Sequence, residues 1–69
     1  MTTKEKETLL DLVSAWRRGA VALHDAADET ESNGEDATAS HFYASARAQS
    51  ATELERLLNY LDTLQPTEQ

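Results

Sequence analysis

A single Asn33-Gly34 step separates two long stretches of helical apolar spacing, and it constrains this chain more than any other feature. Residues about 4–32 and about 36–65 each read as one amphipathic helix. The turn falls at about 33–35, and 66–69 form a tail. Two helices of near-equal length joined by so short a turn must fold back on each other. The expected architecture is all-α: an antiparallel two-helix hairpin, completed to a four-helix bundle by homodimerisation or by a partner.

The first helix can start after Thr2, whose hydroxyl with Glu5 matches a capping box, or after Thr3. Its seam is Leu9, Val13, Trp16, Ala20, Leu23, Ala27 and Thr30, alternately four and three residues apart. That is heptad spacing, widened on one flank by Leu12, Gly19 and Ala26. Asn33 or Gly34 supplies the left-handed residue that closes many helices. Asp36, or Ser32 with Glu35, can cap the second helix. Its seam is Ala39, Tyr43, Ala46, Ser50, Leu54, Leu57, Leu61 and Leu64, in steps of three and four residues close to the helical period. Pro66 ends it. An unbroken single helix is the competing reading. It would cost roughly 1.5 kcal/mol at Asn33-Gly34 relative to alanine, and the polar run 29–38 offers it no seam.

The expected core is therefore Leu9, Val13, Trp16 and Leu23 against Tyr43, Leu54, Leu57 and Leu61. Antiparallel pairing puts Trp16 opposite Leu54 and Leu9 opposite Leu61. Val13 and Leu12 then meet Leu57 and Leu58. Gly19, Ala20, Ala26 and Ala27 face Tyr43, Ala46 and Ser50, so the helix axes can approach toward the lower end of the usual 8–10 Å.

Sixty-nine residues allow one small domain, and the chain has no cysteine to staple it. Ordering each residue costs roughly 1.5 kcal/mol, which favours oligomerisation or a partner over a lone monomer. Thirteen acids against six bases give a formal charge of −7. Such a surface repels phosphate backbones and anionic membranes, so neither nucleic acid nor a membrane is an expected partner. It suits solubility, a basic partner or a high-salt cell. No apolar run approaches the roughly 20 residues that span a bilayer. The N-terminal segment lacks the apolar stretch of a signal peptide, and a cytoplasmic location is expected.

Some apolar residues fall off both seams. Leu10, Arg17 and Val21 mark a second stripe on the first helix. Phe42 and Tyr60 mark one flank of the second helix, and Leu58 the other. Scattered surface apolars are ordinary, but a stripe at helical spacing also suits a helix–helix interface. Leu10, Arg17, Val21, Phe42, Leu58 and Tyr60 are the candidate partner interface. Six acids crowd the turn: Asp25, Asp28, Glu29, Glu31, Glu35 and Asp36. Those opening the second helix suit its dipole, whereas those closing the first oppose theirs. The tip is a solvated hairpin end, or a surface for a basic patch.

No catalytic or metal motif stands out. His24 and Asp28 share a face, but His41 is expected to point away from the second seam and not to converge with them. No Glu-x-x-His pair of the di-iron type is present. Asp36, Ser40 and His41 supply triad residue types without a cleft. Glu53 and Glu55 fall on different faces, and there is no glycine-rich loop for a nucleotide. No metal, no cofactor and no enzymatic activity are expected.

The layout resembles the Rop family of plasmid copy-number regulators, short acidic helical hairpins that dimerise into four-helix bundles. The opening Met1-Thr2 and Glu5-Lys6, followed by Leu9, is loosely similar. The resemblance implies a dimeric bundle, and no RNA-binding residue carries over. Three functions follow. The first is a non-enzymatic protein–protein interaction, oligomerisation or accessory regulatory module, as a homodimer or docked on a larger protein. The second is an acidic phage-type inhibitor or nucleic-acid mimic blocking a basic groove. The third is a Rop-like RNA-binding dimer using Lys4, Lys6, Arg17 and Arg18.

Overall fold

A computed structural model describes residues 1–64 and consists of α1, Thr3–Ser32, and α2, Thr38–Leu64, packed against each other. Among these residues there is no strand. The expected stop at Pro66 and the tail lie outside the described residues.

Local chemistry sets both ends of α1. The Thr2 hydroxyl accepts from the Glu5 backbone N–H at 3.1 Å, and the Glu5 carboxylate accepts from the Thr2 N–H at 3.1 Å. This reciprocal capping box satisfies two N–H groups that a helix start leaves open. At the other end Gly34 has φ +86°, the left-handed conformation that glycine adopts without a Cβ penalty. Its N–H donates to the Glu31 carbonyl at 3.0 Å, and the Glu35 N–H reaches back to the Thr30 carbonyl at 3.3 Å. Those two bonds form a Schellman closure. The chain stays non-helical through 35–37, two residues longer than expected. The Asp36 carboxylate then accepts from the Thr38 N–H at 3.0 Å and the Thr38 hydroxyl at 2.7 Å.

The fully buried residues are Val13, Ala20, Ala27, Ala37, Ala44, Ala51 and Leu58. Their positions 13 and 58, 20 and 51, and 27 and 44 each add to 71, which gives three layers one heptad apart. Four of those six residues are alanine, so only methyl groups separate the two backbones over most of the contact.

The α1 seam is as expected: Leu9, Trp16, Leu23 and Thr30 are half-buried beside the buried Val13, Ala20 and Ala27. The α2 seam is not. Tyr43, Leu57 and Leu61, expected in the core, are 56, 51 and 38% exposed, and Leu54 is half-buried. The inward row is instead Ala37, His41, Ala44, Ala48, Ala51, Glu55, Leu58 and Asp62, all buried or half-buried. One residue turns a helix by about 100°, so α2 is rotated by about that much from the expected register. Alanines seven apart on both helices allow a closer approach than leucines do. The larger side chains are displaced to the side.

Candidate functional site

The rotation of α2 gives the hairpin two unlike broad faces. Three cross-helix polar contacts of the described residues fall on one of them. Lys6 pairs with Asp62. The Arg17 guanidinium grips Glu55 through Nη2 to Oε1 at 3.0 Å and Nη1 to Oε2 at 3.3 Å, with Thr52 Oγ1 at 3.5 Å. The Arg17 hydrogen bond, then its charge, holds the Glu55 carboxyl below the usual range. Nearer the turn, His24 Nδ1 and His41 Nδ1 are 2.7 Å apart, so the rings meet edge to edge, with centroids 5.0 Å apart and a 30° tilt. His41 Nε2 also lies 3.0 Å from Glu31 Oε1 and 3.4 Å from Asp28 Oδ1. The expectation that His41 would not converge with His24 is therefore overturned. It followed from the misplaced α2 seam, against which His41 looked outward.

The opposite face is apolar. From α1 it takes Leu12, Trp16 and Leu23, and from α2 Tyr43, Leu54, Leu57, Leu61 and Leu64. On helical wheels these positions lie to the other side of the buried row from Lys6, Arg17 and His24. Arg47 is a basic member of this face. Its guanidinium donates to the Tyr43 hydroxyl and lies 5.2 Å from the ring centroid.

The residues proposed from sequence as a partner interface are dispersed. Leu58 is 1% exposed between the helices and cannot meet a partner without unfolding. The α2 seam expected from spacing lies one position early, which makes Leu58 a flank residue in that register. Arg17 belongs to the ion-paired face, and Leu10 is half-buried beside it. Val21, Phe42 and Tyr60 are exposed, with Phe42 and Tyr60 on the back of α2 away from α1. None of these was expected on the same face as Leu57 and Leu61.

The acidic tip divides as well. Asp28 and Glu31 face His41, and Asp36 caps α2 with its pKa lowered by the side-chain and backbone hydrogen bonds of Thr38. Asp25, Glu29 and Glu35 are exposed. Of the four cations considered for RNA, Lys6 and Arg17 pair with acids of α2, while Lys4 and Arg18 are exposed. Among the described residues no helix is long and apolar enough to cross a membrane.

Comparison with protein-family models, with curated proteins and with solved structures gives no match.

Proposed function

We propose that this protein is a non-enzymatic interaction module that self-associates through its apolar face, two hairpins forming a four-helix bundle. The observation that carries this reading is the segregation itself. Leu12, Tyr43, Leu57, Leu61 and Leu64 are between 38 and 64% exposed on the side that lacks the ion pairs.

The dimensions agree. The Cα trace measures 52 × 17 × 10 Å, a slab one helix thick. A helical layer with an apolar stripe is stable when a second layer covers it. The two longer extents leave a broad side along which a second hairpin can lie over the length of both helices. The internal core is small, five of its seven residues being alanine. Covering Trp16, Leu54, Leu57 and Leu61 would add the burial that the hairpin lacks, at about 25 cal/mol per Å² of apolar surface. A second copy suits the face because it brings a matching stripe at the same heptad spacing.

Light scattering after size exclusion tests this directly. The wild-type chain should elute at twice its own mass. Leu57→Glu, at the middle of the apolar face, should reduce it to a helical monomer. Phe42→Glu, on the back of α2, should leave the dimer unchanged. A dimer broken by Phe42→Glu and not by Leu57→Glu would move the interface to the Phe42 and Tyr60 side of α2. A wild-type chain that is helical yet monomeric at every concentration would end the self-association reading and leave the face to a larger protein.

A further inference from the structure

We infer that His41, Asp28 and Glu31 form a divalent transition-metal site clamping the start of α2 to the last turns of α1, with zinc the best-matched ion. The site lies within one hairpin and does not depend on dimerisation.

The geometry comes first. Zinc binds imidazole nitrogen and carboxylate oxygen at about 2.0–2.2 Å, so ligand atoms at the corners of a tetrahedron stand about 3.3 Å apart. His41 Nε2 is 3.0 Å from Glu31 Oε1 and 3.4 Å from Asp28 Oδ1, which brackets that edge. The three ligand atoms all lie within 4.8 Å of one another. Asp28 and Glu31 are three apart on one helix and both exposed, so small rotamer changes close the remaining edge. A water would complete the fourth position. One imidazole beside two carboxylates selects a borderline ion over calcium or magnesium, which favour all-oxygen sets.

Electrostatics point the same way. Asp28, Glu29 and Glu31 crowd the negative end of the α1 dipole, and no basic residue lies in that last turn. A bound cation would offset this repulsion where no side chain of α1 does.

His24 supplies the support that a ligating histidine usually has. Its Nδ1 lies 2.7 Å from His41 Nδ1. In the metal-free state His41 carries its proton on Nε2, toward the carboxylates, and accepts from His24 Nδ1–H. When the ion takes Nε2, His41 holds its proton on Nδ1 and donates to His24, whose own proton moves to Nε2. The neutral pair keeps two protons throughout, and only the tautomers change. A doubly protonated His41 would release one proton to solvent. His24 is thus a positioning residue and not a ligand.

Calorimetric titration of the full chain with zinc chloride at neutral pH tests the proposal. It should give one zinc per chain. His41→Ala and Glu31→Gln should each weaken it at least tenfold, and His24→Ala by about tenfold. Circular dichroism confirms that the helices persist in each variant. Glu53→Gln, an exposed acid outside the cluster, should have no effect. The nitrogen resonances of His41 should show metal on Nε2 and a proton on Nδ1. Zinc uptake that survives His41→Ala, or heat that never saturates, would mean diffuse binding to an acidic surface and would overturn the site. Repeating the titration on Leu57→Glu separates this result from the dimer, since a zinc site internal to the hairpin keeps its affinity there.

Discussion

Arg17 and Glu55 are joined across the two helices by a forked pair of hydrogen bonds, at 3.0 and 3.3 Å. The fork marks the polar face and fixes the level of one helix against the other. It also carries a pH dependence. Among the described residues, three carboxyls have pKa values lowered in the fold: Glu5 by the Thr2 backbone and hydroxyl, Asp36 by Thr38, and Glu55 by Arg17. A carboxyl lowered by folding contributes stability that is complete above its unfolded pKa and is lost as pH falls through its folded pKa. The window therefore opens near 4.5 for Glu5 and Glu55 and near 3.8 for Asp36, and extends downward. Thermal melts from pH 6 to pH 2 should show a falling acid limb. Glu55→Gln should flatten part of it while changing little at pH 7, since Glu5 and Asp36 are exposed, the Glu55 side chain is partly so, and solvent screens all three.

Leu58 and Leu57 are adjacent in sequence and opposite in role. Leu58 is 1% exposed and Leu57 is 51% exposed. Leu58→Ala should cost about 2–5 kcal/mol, the usual range for emptying a buried leucine site. That loss should be independent of protein concentration. Leu57→Ala should leave the dilute hairpin within about 0.5 kcal/mol of wild type, as surface changes do. At concentrations where the proposed dimer would form, its melting temperature should fall below the wild-type value. Denaturant melts at two concentrations check both statements. Equal, concentration-independent losses would remove the distinction between core and outer face.

Ala51 tests the alanine layers. It is 0% exposed at the level of Ala20. Ala51→Leu inserts three heavy atoms where the backbones approach, and should cost about 1–3 kcal/mol or more. Ala46→Leu is the counterpart. Ala46 is exposed, so the longer side chain finds room and helix propensity changes little. Urea unfolding of the two variants should separate them clearly. Equal tolerance would mean that the alanine positions do not set the helix spacing.

What the sequence made legible follows from how strongly each feature is local. The Thr2–Glu5 box and the closure at Gly34 involve residues a few positions apart, and both could be read directly. The α1 seam was legible because Leu9, Val13, Trp16 and Leu23 are large and regularly spaced. The α2 seam was obscured because, Leu58 apart, its large apolar residues are not its most buried ones. Tyr43, Leu57 and Leu61 form a heptad row of their own, one position before the row that packs on α1. A signal for the true row was present: Ala20 and Ala27 are seven apart, as are Ala37, Ala44 and Ala51. Matching spacing of small residues on both helices points to close backbone contact, which side-chain size alone does not reveal. The His24–His41 contact was hidden by the same error.

The two glycines should respond to alanine with opposite signs. Gly34 has φ +86°, where a Cβ is strained although nothing else lies within 4 Å of it. Gly34→Ala should therefore cost about 1–2 kcal/mol, the penalty of an L-residue in the left-handed region. Gly19 sits mid-helix in α1 with ordinary backbone, and an added Cβ there would also meet nothing within 4 Å. The close-packing role that a mid-helix glycine suggests is thus absent inside the hairpin. Gly19→Ala should stabilise α1 by about 1 kcal/mol through helix propensity. Because Gly19 borders the apolar face near Leu12 and Trp16, the same methyl could meet the second hairpin in a dimer. Melting temperature and solution mass should be read together on this variant. A higher melting temperature with the dimer intact places Gly19 outside the contact. A stabilised helix with weakened dimerisation gives the glycine its reason for being there, as the point of closest approach between two copies.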